Sequence, residues 1–512
     1  MTTAMASAVV VPRARVVPHR VGERVRVKGF EMTEHFFTVP LDHFADASGS
    51  AETKVIEVFA REVVSSSKVS DPSFDRSALP ALLFLQGGPG FEAARPTEAG
   101  GWLAEAAKQF RVFLLDQRGT GRSTRVTNEM LERAFGSLSE ESKDDETDSE
   151  SCSTTNELVA NYVSKHRADA IVADAECVRF TILGADKKWT LLGQSFGGFC
   201  IARYLSVSPE GVREALFTGG LPPLIRDNDD PAYGTYVKLL ERVKRQNEKY
   251  YERFPGDVRR VAEVARFVHA ADEKIVTPGG STLSLRGLQA LGFSNLGVAG
   301  GFEKLHYLFE TAWEGEGVID KTLSYAFLKG VDDAHAFDTN PLYAVAHESI
   351  YCNGAGVKSA WAAERALVAY NAANDGVFDP EKALTRSGDE SSDEKKDSAK
   401  MYFTGEMVFP FMFDEFKRLR PLKGVAHALS LKTDWPALYC ADTLNENAVP
   451  VACASYVEDA FVDWDLAAAT AREIRGARVW STSEYMHSGI REDGGKILTK
   501  LLELARDEDP LR

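Results

Sequence analysis

Between Trp189 and Gly198 the chain reads Trp-Thr-Leu-Leu-Gly-Gln-Ser-Phe-Gly-Gly, which sets Ser195 between Gly193 and Gly197. The apolar run before it predicts a strand and the residues after it a helix. Ser195 then falls on a sharp strand-to-helix turn, where bulky neighbours would clash. Such a turn presents a hydroxyl for attack on an acyl carbon. The chemistry needs two more groups: a histidine to take the hydroxyl proton, and a carboxylate to orient that histidine and balance the imidazolium. G-x-S-x-G recurs by chance in chains this long, so the strand and helix around it carry the argument for catalysis.

Of ten histidines, His487 alone sits late, in the loop-like stretch Ser483-Glu-Tyr-Met-His-Ser-Gly489. That stretch follows the last expected strand and precedes the last expected helix. Elbows of this kind belong to sheets whose acid and then histidine follow on loops after later strands. Asp459 follows the expected strand 449–455 and is the preferred acid; Asp442 precedes that strand and is its rival. Asp463 and Asp465 lie further along and read as solvated. The turn Gln86-Gly-Gly-Pro-Gly90 also follows an apolar strand. Its small residues let backbone N–H groups approach a developing oxyanion, a task usually completed by the N–H after the nucleophile.

These residues need a scaffold. Short β-patterned runs occur at 34–39, 54–64, 81–86, 111–116 and 189–192. The last three are apolar and end in Gly-, Pro- or Asp-rich turns, as buried parallel strands do. A helical pattern over 168–183 puts Ile171, Val172, Ala175, Val178 and Ile182 on one face. This alternation predicts an α/β fold with a mostly parallel central sheet. From 224 to 436 the pattern turns mainly helical, with aromatics such as Tyr307, Phe309, Trp313, Tyr343, Tyr351 and Trp361. Strands return at 449–455 and 477–480, and a helix closes the chain at 495–505. A helical block between two parts of one sheet reads as a cap that excludes water and shapes specificity. The expected organisation is a core of 25–223 and 437–512, a cap of 224–436 and a flexible tail of 1–24.

Two segments, 137–156 and 387–399, are acidic and rich in serine, and are expected to be disordered insertions. The 512 residues carry a formal net charge of −16, which argues against nucleic acid as a partner. No apolar stretch is long enough to span a bilayer. Six widely spaced cysteines form no C-x-x-C pair and point to a reducing compartment, hence the cytoplasm. The first 27 residues have no acid before Glu23, so an organelle transit peptide is the alternative.

Gln86-Gly-Gly-Pro-Gly90, Asp116-Gln-Arg-Gly-Thr-Gly-Arg-Ser123 and Gly193-Gln-Ser-Phe-Gly-Gly198 together resemble the prolyl aminopeptidases (proline iminopeptidases), serine peptidases of the α/β-hydrolase fold. His347-Glu-Ser-Ile-Tyr-Cys352, Phe403-Thr-Gly-Glu-Met407 and Val449-Pro-Val-Ala452 are similar to the longer, bacterial-type branch. The likeness runs from about 25 to about 505, outside the acidic insertions. It implies Ser195 as nucleophile, Asp459 as triad acid, His487 as general base, and the backbone of Gly88 and Phe196 as oxyanion donors. The family turn usually begins with His where this chain has Gln86, which leaves those backbone donors in place.

The resemblance further implies cap carboxylates that read a free N-terminal amine. Glu348 is the best match, with Glu310 and Glu406 behind it. The implied reaction removes N-terminal proline from peptides through a prolyl-enzyme ester, with no metal or organic cofactor. Two other readings stand beside it: an esterase, amidase or aminopeptidase of other specificity, and a non-catalytic binding protein on the same fold.

Overall fold

The computed structural model describes residues 9–11, 14–45, 54–138, 146–224, 230–272, 274–314, 321–386 and 400–507, with no side chain described at 146–152 or 386. The acidic segment 387–399 lies outside the described residues. Among those described, β1 (His19–Val27), β2 (Phe30–Pro40), β3 (Val55–Ser65), β4 (Ala81–Leu85), β5 (Arg111–Asp116), β6 (Trp189–Gln194), β7 (Val212–Thr218), β10 (Val451–Tyr456) and β11 (Ala477–Thr482) form one sheet. Its order is β1-β2-β3-β5-β4-β6-β7-β10-β11. The first three strands run antiparallel to their neighbours, and β5 through β11 are parallel. A separate two-stranded ladder joins β8 (Trp313–Glu314) to β9 (Thr322–Leu323).

Every residue of β4, β5 and β6 is buried, because helices cover both faces of the parallel part. Side chains alternate between the faces. Leu83, Leu85, Phe113, Leu115 and Leu191 enter one apolar cluster, while Leu82, Phe84, Val112, Leu114 and Leu192 enter another. The second cluster packs against helices Gly101–Ala106 and Gly494–Ala505. The first is continuous with the apolar residues of the helical block between β7 and β10, including Tyr236, Leu291, Phe309 and Phe403. That block opens with the 23-residue helix Pro231–Arg253, and it shares a core with the sheet instead of closing one of its own.

Several expectations need correction. The tail ends earlier than residue 24: Val17 is buried and β1 begins at His19. Strand β1 lies at the sheet edge and is almost wholly exposed; its valines alternate with arginines but bury little, and its ladder to β2 holds it. Strand β7 was also unforeseen, since its first residues include Arg213 and the buried Glu214, which Arg506 and Thr190 satisfy. Of the segment 137–156, residues 139–145 lie outside the description, but from 146 onward the chain is helical, as part of Glu146–Val163. Val159, Ala160 and Val163 are buried in the core and anchor that helix, so the acidic residues extend an element that the apolar ones nucleate. Helix Ala168–Ile182 is buried on all sides from Ala168 to Arg179, because its charges are paired internally: Asp174 with Arg118 at 2.6 Å and Glu176 with Arg179 at 2.7 Å.

Candidate active site

Ser195 sits between β6 and helix Phe196–Val207 with φ 55° and ψ −126°. That is a strained conformation for a residue with a side chain. The neighbouring glycines make it attainable. A Cβ on Gly197 would stand 1.9 Å from the Leu85 carbonyl oxygen, and one on Gly193 would stand 2.5 Å from that of Gly197. The turn is held by Ser195 N–H donating to Thr218 O at 3.1 Å and Gly198 N–H donating to Ser195 O at 2.7 Å.

Asp459 follows β10 and His487 follows β11, at the same end of the parallel sheet at which β6 delivers Ser195. Nδ1 of His487 lies 2.8 Å from Asp459 Oδ2. The other carboxylate oxygen, Oδ1, accepts from Phe461 N–H at 2.8 Å and Val462 N–H at 3.0 Å. Asp459 is 1% exposed, and Ser195 and His487 are each 8% exposed. Burial pulls the His487 imidazole down, but the charge and hydrogen bond of Asp459, with Glu406 adding, hold it above its ordinary value.

The rival acid is elsewhere: Asp442 lies exposed in helix Ala441–Asn445, ahead of β10. Asp463 is not solvated. It is 2% exposed, caps helix Trp464–Glu473 through Leu466 N–H and pairs with Arg242 at 2.8 Å. Asp465 is exposed, as expected.

The turn Gln86–Gly90 follows β4 beside the elbow. Gln117 Nε2 donates to Gln86 O at 2.9 Å, and a Cβ on Gly87 would stand 2.5 Å from Gln194 Oε1. Asp116 secures the far side of this loop, accepting from Ala93 N–H at 3.1 Å and Arg122 N–H at 2.8 Å, with Arg95 paired to both of its oxygens. The Asp116–Ser123 motif thus braces the loop that carries Gly88. Phe196 opens its helix, where an N–H has no intrahelical carbonyl to bond.

The three cap carboxylates separate. Glu310 ends helix Gly301–Glu310 and is exposed; the structure does not bring it to the site. Glu348 is 7% exposed. Its Oε1 accepts from Ala363 N–H at 2.9 Å, at the start of helix Ala362–Ala373, while Oε2 is buried without a hydrogen bond. Burial raises its carboxyl above the usual range, against the pull of Ala363 N–H and the Ser359 hydroxyl. Glu406 is the carboxylate electrostatically coupled to His487. Burial pushes it up to about 7; His487, the Tyr343 hydroxyl and Arg491 pull the other way, and Asp459 adds to the rise. Tyr343 Oη donates to Glu406 Oε1.

Aromatic side chains join these carboxylates. Burial raises the Tyr351 phenol, and Glu406, Glu348 and Asp459 all add to the rise. Tyr236 is buried against Tyr351, rings 5.8 Å apart, and its hydroxyl has no hydrogen-bond partner. In the sequence Tyr343 and Tyr351 stand out as aromatics of the helical block, Tyr351 also as part of His347-Glu-Ser-Ile-Tyr-Cys352. Their closeness to His347-Glu348 in the chain was the one available signal. Nothing marked Tyr236, which arrives from the distant helix Pro231–Arg253, or Arg491, which follows His487 by four residues on helix Gly489–Glu492.

A family model described as the alpha/beta hydrolase fold matches residues 80–274. Proline iminopeptidase from Aeromonas sobria is 40% identical over 479 residues, covering 94% of this chain and 97% of that protein. Proline iminopeptidase aneH from Aspergillus aculeatus is 29% identical over 480 residues, covering 93% and 94%. A crystal structure of proline iminopeptidase from Mycobacterium smegmatis, 12% identical, covers 89% of this chain and 96% of its own, with a TM-score of 0.36. An elbow serine, a buried acid–histidine pair and this identity over nearly the whole length agree: the chain belongs to the proline iminopeptidase family of α/β hydrolases.

Proposed function

We propose that this protein is a serine exopeptidase that releases proline from the N-terminus of peptides. Ser195 Oγ attacks the carbonyl carbon of the N-terminal residue while His487 takes its proton, and Asp459 holds the imidazole in the required tautomer. The negative charge on the carbonyl oxygen is met by the N–H groups of Gly88 and Phe196. The tetrahedral intermediate collapses as His487 hands its proton to the departing amine. Water, deprotonated by His487, then cleaves the prolyl ester and frees proline.

The observation that carries the exopeptidase reading is Glu406, a half-buried cap carboxylate held by the Tyr343 hydroxyl, whose charge bears on His487. A protonated imino group offers this partly desolvated carboxylate a positive partner. Glu348, with an oxygen buried and unbonded, stands behind it as a second acceptor. Residues 224–436 act as the cap over a core that runs from β1 to residue 223 and resumes at 437.

The five described cysteines are free, which supports a reducing compartment, the cytoplasm. No described helix is long and apolar enough to cross a membrane, and the net charge of −16 supports peptides rather than nucleic acid as partners. The test is a panel of fluorogenic amides (prolyl, alanyl, leucyl and N-acetyl-prolyl) with a short-chain ester beside them. Prolyl amide should be cleaved fastest, and equal cleavage of free and N-acetylated forms would rule out the aminopeptidase.

A further inference from the structure

The turn that carries Gly88 is gripped from the cap as well as from the core. Asn340 Nδ2 donates to Gly90 O at 2.9 Å and reaches Glu92 Oε2 at 3.3 Å. Gly90 has φ 87°, and a Cβ there would stand 2.7 Å from the Tyr343 backbone nitrogen. Helix Pro341–Ala346 therefore lies flush on the turn, with no room for a side chain between them. The Phe91 ring, next along the turn, meets the Tyr343 ring edge-on at 4.8 Å.

The same short segment reaches the carboxylate. Tyr343, three residues after Asn340, sends its hydroxyl to Glu406 Oε1. Its ring is 6% exposed and boxed in by Phe293 at 5.6 Å and His347 at 5.3 Å, both edge-on. His347 is an uncharged wall of this box: burial lowers it to about 4. A phenol held this way has one direction to point, and it fixes the rotamer of the carboxylate it bonds.

We infer that residues 340–343 are a brace that sets two parts of the site at once, Asn340 placing the oxyanion turn and Tyr343 placing Glu406. The brace fixes the distance between the group that receives the substrate's amine and the group that receives its carbonyl oxygen. In an N-terminal residue those two atoms are separated by only two carbons, Cα and the carbonyl carbon, so the spacing selects for an exopeptidase substrate. Tyr343 is a positioning residue, since it acts through Glu406. The inference rests on the proposed role of Glu406 as the receiver of the amine.

The two ends of the brace should fail differently. In the full-length protein, Tyr343→Phe keeps the packed ring and removes the hydroxyl. It should raise KM for a free prolyl amide about tenfold with a smaller fall in kcat, the size expected of one hydrogen bond to a charged group. The preference for free over N-acetylated prolyl amide should narrow by the same factor, and an ester without an amine should slow far less. Asn340→Ala should instead lower kcat for amide and ester together, roughly fivefold to tenfold, as for a loosened oxyanion donor, with the free-over-blocked preference kept.

Equal loss on amide and ester in Tyr343→Phe, or a KM for the free amide within about twofold of the parent, overturns the brace. Glu406→Gln is the reference variant. If it leaves the free-over-blocked preference intact, the carboxylate reading fails and the brace with it. If it collapses that preference while Tyr343→Phe does not, the brace alone fails.

Discussion

The two halves of the site are built on opposite principles. On the sheet, Asp459 has a partner for each oxygen: His487 on one, and Phe461 and Val462 N–H groups on the other. Within the helical block, Glu348 keeps an oxygen buried and unbonded, and Glu406 is raised to about 7 by burial. A fully satisfied acid stays charged and still, which suits a group that orients a base through a whole turnover. A desolvated, under-satisfied acid is unstable until a cation arrives, which suits a group that must bind and release one. On the proposed reading, chemistry and recognition are divided between a fully paired core acid and cap carboxylates that are only partly paired.

The largest effect should come from the core. Ser195→Ala should lower turnover of a prolyl amide at least about a thousandfold with the fold intact by circular dichroism, because nothing else supplies a nucleophile. Retention of a tenth of the activity in pure protein would remove Ser195 from the mechanism.

Next comes the acid. Asp459→Asn should cost roughly a hundredfold to ten-thousandfold in kcat, through loss of the tautomer and the counter-charge. Asp442→Asn should stay within about twofold, as expected of an exposed site. A reversal between the two would mean that the acid–histidine pair seen here is not the working one.

The cap carboxylates should change selectivity more than rate. The parent should cleave free prolyl amide at least about a hundredfold better than its N-acetyl form, since the blocked amine leaves a desolvated carboxylate without its partner. Glu406→Gln should narrow that gap by about tenfold or more, and Glu348→Gln by less, because Glu348 already holds a backbone N–H. Equal gaps in all three proteins would erase the division between core and cap.

The smallest effects lie in pH dependence. Glu406 must be charged to hold an ammonium, so KM for the free amide should fall as pH rises through about 7, with no matching step for an ester. For stability the sign is opposite. A carboxyl raised from 4.5 to about 7 on folding binds its proton more tightly in the native state, so stability is lost as pH climbs through that window. Glu406→Gln should therefore raise Tm by roughly 1–3 °C at pH 8 and leave it unchanged near pH 4. A Tm gain that is the same at both pH values would show that charge burial is not its source.

The residues on the sheet were legible in the chain because each one obeys a local rule. Ser195 lies between Gly193 and Gly197, where any Cβ would run into the backbone of Gly197 or Leu85. Asp459 and His487 each follow a strand whose apolar run marks its end. The sequence by itself marked the candidate nucleophile, its order relative to the candidate acid and base, and the parallel strands that carry them, since period, spacing and turn chemistry are short-range properties. Only the tertiary structure decided which carboxylates meet the site. Glu310, Glu348 and Glu406 are alike as residues, and what separates them is how far the fold covers each: Glu310 is exposed at a helix end, Glu348 is buried, and Glu406 is half-buried in a loop. It also decided that Tyr343 and Asn340 join the cap to the oxyanion turn, across some 250 residues of chain. Contacts over that separation leave no periodic trace, because they are set by how the helical block lies on the sheet rather than by any neighbour in sequence.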